Sequence, residues 1–94
     1  MKEREEIKIR VIENKSSINI ELTILRRQWI NLSIYDLNRN RIKTIFSGEI
    51  ERGNHNFVWD KTDNENKNVQ KGVYFVGIRR EGEPKIDFES LIFI

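Results

Sequence analysis

The sequence predicts an all-β fold, a seven-stranded antiparallel β-sandwich. Three observations support this prediction. Apolar and polar residues alternate in short runs, no run has the three-and-four spacing of an amphipathic helix, and polar or glycine-containing breaks separate the runs at regular intervals. Strict alternation indicates a strand with one buried and one solvated face, and evenly spaced short strands are typical of sandwiches.

The first three predicted strands alternate most cleanly, over residues 7–11, 18–24 and 30–35. Residues 14–17 contain Asn and Ser and separate the first pair, whereas the polar link before the third strand contains Trp29. Each of the three strands should bury one face and expose the other.

Four further strands are predicted over residues 41–46, 54–59, 73–80 and 86–94. Residues 36–40 are rich in Asn and Asp, which favour tight turns because they tolerate left-handed conformations. We expect a longer connection over residues 47–53 and a hairpin turn over residues 81–84. The whole pattern matches the immunoglobulin or fibronectin type III architecture, and a closed β-barrel is the competing topology.

Composition limits the chain to one domain spanning residues 1–94, which is enough to bury a core. Hydrophobic residues make up only 37% of it and charged residues 34%. The apolar residues are mostly large aliphatic and aromatic ones, however, and few of these are needed to form an interior. Cysteine is absent, so neither a disulfide nor a thiolate metal site can form.

Charge and hydropathy exclude several classes of function. The net charge of +2 is too close to neutral for a nucleic-acid footprint. No run is long enough to span a membrane, and no apolar segment typical of a signal peptide follows the charged start. We therefore expect protein partners and no cofactor. The setting we expect is extracellular or on the cell surface, as the C-terminal part of a longer exported chain.

Five segments carry a family resemblance, in this order: NLSIYDLN at 31–38, IKTI at 42–45, GNH at 53–55, FVWD at 57–60 and GVYF at 72–75. Together they resemble the Ig-like domain of the flagellar hook-capping protein and the related C-terminal sorting domains of type IX-secreted proteins. The resemblance covers about two-thirds of the chain. It implies a non-catalytic domain used for attachment, sorting or assembly.

The resemblance also implies a structural core. Trp59 and Tyr74 would be interior residues, with the Tyr74 hydroxyl reaching a backbone partner. Alternation places Phe57 and Ile34 on the same buried faces.

Three turn positions that are glycine in the family pattern hold Arg39, Lys61 and Asn66 here. Asn tolerates a left-handed conformation, but Arg and Lys do so only at a cost. We therefore expect the turns at Arg39 and Lys61 to be reshaped.

One loop is a calcium candidate, because Asp60, Asp63, Asn64 and Glu65 supply carboxylate and amide oxygens within six residues. The spacing of an EF-hand is not met, and a turn that satisfies its own backbone explains the same residues. Catalysis by a carboxylate pair such as Asp60 and Asp63 would need a deep cleft, which a small two-sheet domain does not offer. We expect no enzymatic activity.

The predicted interaction surface comes from surplus apolar residues. If Tyr74 faces the core, Val73 and Phe75 face outward, and Val58 does so beside Phe57. A contiguous apolar outer face indicates a protein contact, although coverage by the chain's own loops is the alternative. Trp29 is a second candidate contact, or a side chain that only fills the edge of the sandwich.

Two other functions remain open. The chain could be a structural subunit that self-assembles into a filament or cap through the same apolar face. It could also be a calcium-dependent carbohydrate-binding module, with Trp29 or Tyr35 as the sugar platform.

Overall fold

The structure is a computed structural model that describes residues 7–94, apart from the side chains of residues 89–91. The described residues form seven strands and no helix: β1 (Ile7–Glu13), β2 (Ile18–Ile24), β3 (Gln28–Tyr35), β4 (Arg41–Ile50), β5 (Gly53–Trp59), β6 (Val73–Arg80) and β7 (Ile86–Phe93). The predicted all-β class and the number of strands are confirmed.

The strands form two antiparallel sheets, with the orders β1-β2-β5 and β4-β3-β6-β7. Strand β4 pairs with β3, whereas the fourth strand of a constant-type immunoglobulin domain lies in the same sheet as the first, second and fifth strands. Hydrogen bonding between the described strands does not continue from one sheet to the other, so the sandwich, not the closed barrel, is the observed topology.

The core lies between the sheets and follows the alternation of the sequence. On β2 every second residue from Ile18 to Ile24 is buried, and on β3 Ile30, Leu32 and Ile34 face the core. The solvated face predicted for β3 was wrong, since Asn31, Ser33 and Tyr35 are buried as well. Because these inward faces are almost entirely aliphatic, the two central strands hold the sheets together through apolar burial.

Strand β4 departs from simple alternation. Its pairing with β3 shifts register between Leu32 and Ser33 and again between Ile34 and Tyr35, and each shift inserts one extra residue into β4. Such bulges change which face a side chain occupies. As a result Ile42, Ile45 and Phe46 of β4 are all half-buried against the core, although they do not alternate in sequence.

The ends of five strands differ from the prediction, and two of these differences change a connection. Strand β4 continues to Ile50, so the long connection expected over residues 47–53 is reduced to residues 51–52. Strand β3 starts at Gln28, which places Trp29 inside the strand and not in a link. In both cases ladder partners in β3 and β4 extend the pairing over residues whose local sequence is polar.

The expectation of reshaped turns was also wrong. Arg39 and Lys61 have φ values of 66° and Asn66 has 63°, so all three keep a left-handed conformation. Hydrogen bonds fix the first of these turns, since Asp36 Oδ1 accepts from the backbone N–H groups of Asn38 and Asn40 at 2.9 Å each. A strained residue persists where surrounding contacts over-determine its conformation.

Candidate functional site

Trp59 and Tyr74 join the two sheets. Trp59 ends β5 and is fully buried, Tyr74 lies on β6 and is 8% exposed, and their rings meet edge-on at 5.7 Å between centroids. The Trp59 indole donates to the Thr62 carbonyl at 2.8 Å, and the Tyr74 hydroxyl donates to the Gln70 carbonyl at 2.6 Å. The second bond has the geometry of a tyrosine corner.

The surroundings of the Tyr74 hydroxyl disfavour its ionised form. Burial raises the pKa of Tyr74, and the negative charge of Asp36 adds to the effect. Of the other residues predicted to be interior, Ile34 is fully buried and Phe57 is half-buried, with its ring 5.4 Å from that of Phe46. Aromatic and aliphatic side chains therefore occupy the space between the sheets where these residues lie.

The acidic loop directs its oxygens to its own backbone. Asp60 Oδ1 accepts from the Thr62 hydroxyl and backbone N–H, and Asp63 Oδ1 accepts from the N–H groups of Glu65 and Lys67 at 2.8 and 3.0 Å. These are Asx turns. The bond from the Thr62 hydroxyl lowers the pKa of Asp60, and bonds from the Lys67 and Glu65 backbones lower that of Asp63.

An ammonium group lies beside the same loop. Lys43 Nζ donates to Thr62 Oγ1 at 3.2 Å and to the Asp63 carbonyl at 3.0 Å. Asn64 is turned away, because its Oδ1 accepts from the Thr44 N–H of β4 at 3.0 Å. Among the side chains that the structure describes, no three of His, Cys, Asp or Glu gather in a way that could hold a metal ion. The geometry therefore favours the self-satisfied turn over a calcium site.

The predicted outer face is divided between the two sheets. Val58 lies on β5 of the three-stranded sheet and is 60% exposed, whereas Val73 and Phe75 lie on β6 of the four-stranded sheet. A single contact surface that contains all three is wrong, because β5 and β6 belong to opposite layers. Alternation shows that a residue points outward but does not show from which layer.

Aromatic residues do lie together outside the four-stranded sheet. The Phe88 ring contacts Tyr35 at 5.2 Å and Phe75 at 5.5 Å between centroids, both edge-on. The Arg39 guanidinium lies 4.7 Å from the Phe88 centroid. Gly77 lies beneath the Tyr35 ring, since a Cβ atom there would come within 2.6 Å of it. We call Tyr35, Phe75, Phe88 and Arg39 the outer aromatic cluster.

Sequence reasoning missed Phe88, Arg39 and Gly77 as parts of this cluster. One signal was present, because a glycine inside an apolar strand indicates close approach by another group. Tyr35 is only 4% exposed, so its ring has no free face that could serve as a sugar platform.

Trp29 lies on the outward side of the same sheet, at the start of β3. The Arg79 guanidinium covers its ring at 5.0 Å from the centroid. The backbone N–H of Trp29 donates to a Glu81 carboxylate oxygen at 3.1 Å, and the backbone carbonyl of Trp29 accepts from the backbone N–H of Glu81 at 2.9 Å. Trp29 therefore closes the β6–β7 turn against β3 and also presents an arginine-capped indole.

The outer side of the three-stranded sheet is polar and holds a shallow groove of about 550 Å³. Cross-strand pairs line it, with Arg10 Nε 3.2 Å from Glu21 Oε1 and the Thr23 hydroxyl donating to Asn54 Oδ1 at 3.0 Å. These side chains satisfy one another across the ladder, which is the ordinary stabilisation of a solvated sheet face.

Residues 7–94 include no helix with the length and apolar character needed to span a bilayer. No curated protein matches the chain. The family model described as "FlgD Ig-like domain" matches residues 8–82, which is most of the sequence and all of β2 to β6. The predicted resemblance to the hook-capping type is confirmed, and the chain belongs to the FlgD Ig-like domain family.

Proposed function

We propose that the chain is a non-catalytic module that attaches or assembles exported proteins, and that it works as a domain of a larger secreted or surface protein. Its family is one of structural domains from flagellar hook-associated proteins, which act outside the cell. That setting supports a role in protein assembly.

The outer aromatic cluster and the Trp29–Arg79 pair are the observation that carries the proposal. In an antiparallel sandwich the outer face of a sheet is ordinarily polar. Here aromatic rings and stacked arginines occupy it instead. Aromatic residues and arginine are the types enriched at protein interfaces, because they bury much area and form several kinds of contact.

The carbohydrate-binding alternative has less support. The Tyr35 ring is buried, Arg79 covers the Trp29 ring, and the oxygens of the acidic loop accept hydrogen bonds from their own backbone. No observation on the described residues favours sugar over protein as the ligand of this face.

Site-specific photo-cross-linking in cells that make the full protein tests the proposal. A photoreactive phenylalanine analogue at Arg79 should give a discrete protein adduct, because this position borders the aromatic surface. The matched control carries the analogue at Lys8, which is exposed on the opposite sheet. Adducts of equal yield at both positions, or none at Arg79, would refute attachment through the four-stranded sheet.

A further inference from the structure

The edge strands differ in their charge. Among the described strands, β1, β5, β4 and β7 each have one unpaired edge. Three of them carry charged residues: Lys8, Arg10 and Glu13 in β1; Arg41, Lys43 and Glu49 in β4; Asp87 in β7. Strand β5, with the sequence GNHNFVW, contains no Asp, Glu, Lys or Arg. Charge on an edge strand discourages pairing with another chain, so β5 is the edge without this protection.

The edges of β4 and β5, which meet on one side of the sandwich, also differ in how far a loop covers them. Strands β4 and β5 lie side by side there, with the Phe46 and Phe57 rings in contact. The edge of β4 is capped, because the Asn64 N–H donates to the Ile42 carbonyl and the Asn64 side chain accepts from the Thr44 N–H, both at 3.0 Å. In the part of the chain that the structure describes, the backbone of β5 bonds to β2 and has no other backbone partner.

We propose that β5 pairs antiparallel with β5 of a second copy of this chain, across a two-fold axis. The two three-stranded sheets then form one continuous six-stranded sheet. The register that pairs the whole strand places Asn56 opposite Asn56 of the second copy and Asn54 opposite Val58. This contact uses the three-stranded sheet, so it does not depend on the proposed attachment through the outer aromatic cluster.

The charges that flank β5 favour a second copy as the occupant, because the same register, continued past the ends of the strand, places Arg52 opposite Asp60 of that copy. Within β5 no like charges face each other, and the largely exposed Val58 side chain gains cover from the opposite strand. The same operation on β1, which is centred on Arg10, would bring Arg10 against its own copy, and like charges directly opposite destabilise a ladder. A two-fold interface uses one patch twice and therefore closes as a dimer.

Light scattering during size exclusion tests the stoichiometry with the purified chain alone. The expected mass is twice 11.3 kDa at high concentration. Asn56→Lys should give the monomer mass, because it places two ammonium groups opposite each other at the axis. Asn38→Lys adds the same charge in an exposed turn of the other sheet and should remain a dimer. A monomeric wild type would overturn the proposal and leave β5 available to a strand of another protein.

Single cysteines test the register, because the chain contains none of its own. Under mild oxidation Asn56→Cys should form a disulfide-linked dimer, since directly opposite Cβ atoms lie about 5 Å apart. Val58→Cys is the matched control: its two copies would be offset by four residues, roughly 14 Å along the strand. A mixture of Asn54→Cys and Val58→Cys should give the mixed dimer.

Two results contradict the register. Equal cross-linking of Asn56→Cys and Val58→Cys would indicate random collision, and a dimer that cross-links at neither position would lie on another surface. Thermal unfolding of each variant checks that the monomer still folds. All three positions are exposed, so the substitutions should leave the melting temperature nearly unchanged.

Discussion

Replacing Lys61 with glycine should stabilise the protein. Lys61 follows β5 in a turn and has φ 66°. A left-handed conformation costs an L-residue with a Cβ atom about 1–2 kcal/mol. The side chain offsets little of this cost, because its one hydrogen bond, from Nζ to the Lys15 carbonyl, is 3.3 Å long and exposed. Lys61→Gly should therefore relieve strain and remove almost no contact.

Glycine also makes the unfolded chain more flexible, which opposes the gain by roughly 0.5–1 kcal/mol. The expected net increase in the free energy of unfolding is about 0.5–1 kcal/mol. For a domain of this size that corresponds to a rise in melting temperature of about 2–8 °C. Arg39→Gly should be close to neutral, because it relieves similar strain but removes the stacking on Phe88, worth about 0.5–1 kcal/mol.

Urea unfolding of the purified variants provides the measurement. If the slope of the unfolding free energy against urea concentration is unchanged, only the stability has changed. The matched control is Lys71→Gly, at an exposed lysine outside the left-handed region. This variant should lose up to about 1 kcal/mol, since glycine there increases only the entropy of the unfolded state. If Lys61→Gly is no more stable than wild type while the slope is unchanged, the strain argument fails.

Three further variants test the packing and electrostatics. Gly77→Ala should lose about 1–3 kcal/mol in urea unfolding, because its methyl group collides with the Tyr35 ring; wild-type stability would contradict this contact. Tyr74→Phe should lose about 1 kcal/mol by the same assay through the hydrogen bond to Gln70, and a neutral outcome would show that bond to be weak. Asp63 has a lowered pKa, so its contribution to stability is complete above the usual value of 3.8 and is lost as the pH falls through the lower native value. Asp63→Asn should flatten the acidic limb of a melting-temperature profile, and an unchanged limb would exclude this carboxylate.

Much of the fold could be predicted because it is encoded locally. Alternation placed all seven strands, with boundary differences of one to four residues at β1, β3, β4, β5 and β7. The predicted hydrogen bond from the Tyr74 hydroxyl to a backbone carbonyl is present. Bulky residues at every second position leave few alternatives for the buried face, so a single sequence is enough for predictions of this kind.

The candidate surfaces could not be predicted in the same way. The outer aromatic cluster depends on Tyr35 of β3 meeting Phe75 and Phe88 of the β6–β7 hairpin, which is distant from β3 in sequence and adjacent to it in the sheet. The capping of β4 depends on Asn64, which lies in a loop whose composition alone indicated a turn or a cation site. Neither arrangement leaves a periodic signal, because each arises from pairing between remote segments.

The sequence by itself determined the strand-rich class, the inward-facing residues and the positions of the turns, since these follow from side-chain period and turn chemistry. Only the tertiary structure decided which layer each strand joins, and thereby separated Val58 from Val73 and Phe75. It also decided that Arg39 and Lys61 remain left-handed, because long-range pairing fixes the chain on either side of each turn. Strand pairing over long distances is a property of the folded sheet, and local patterns of polarity do not specify it.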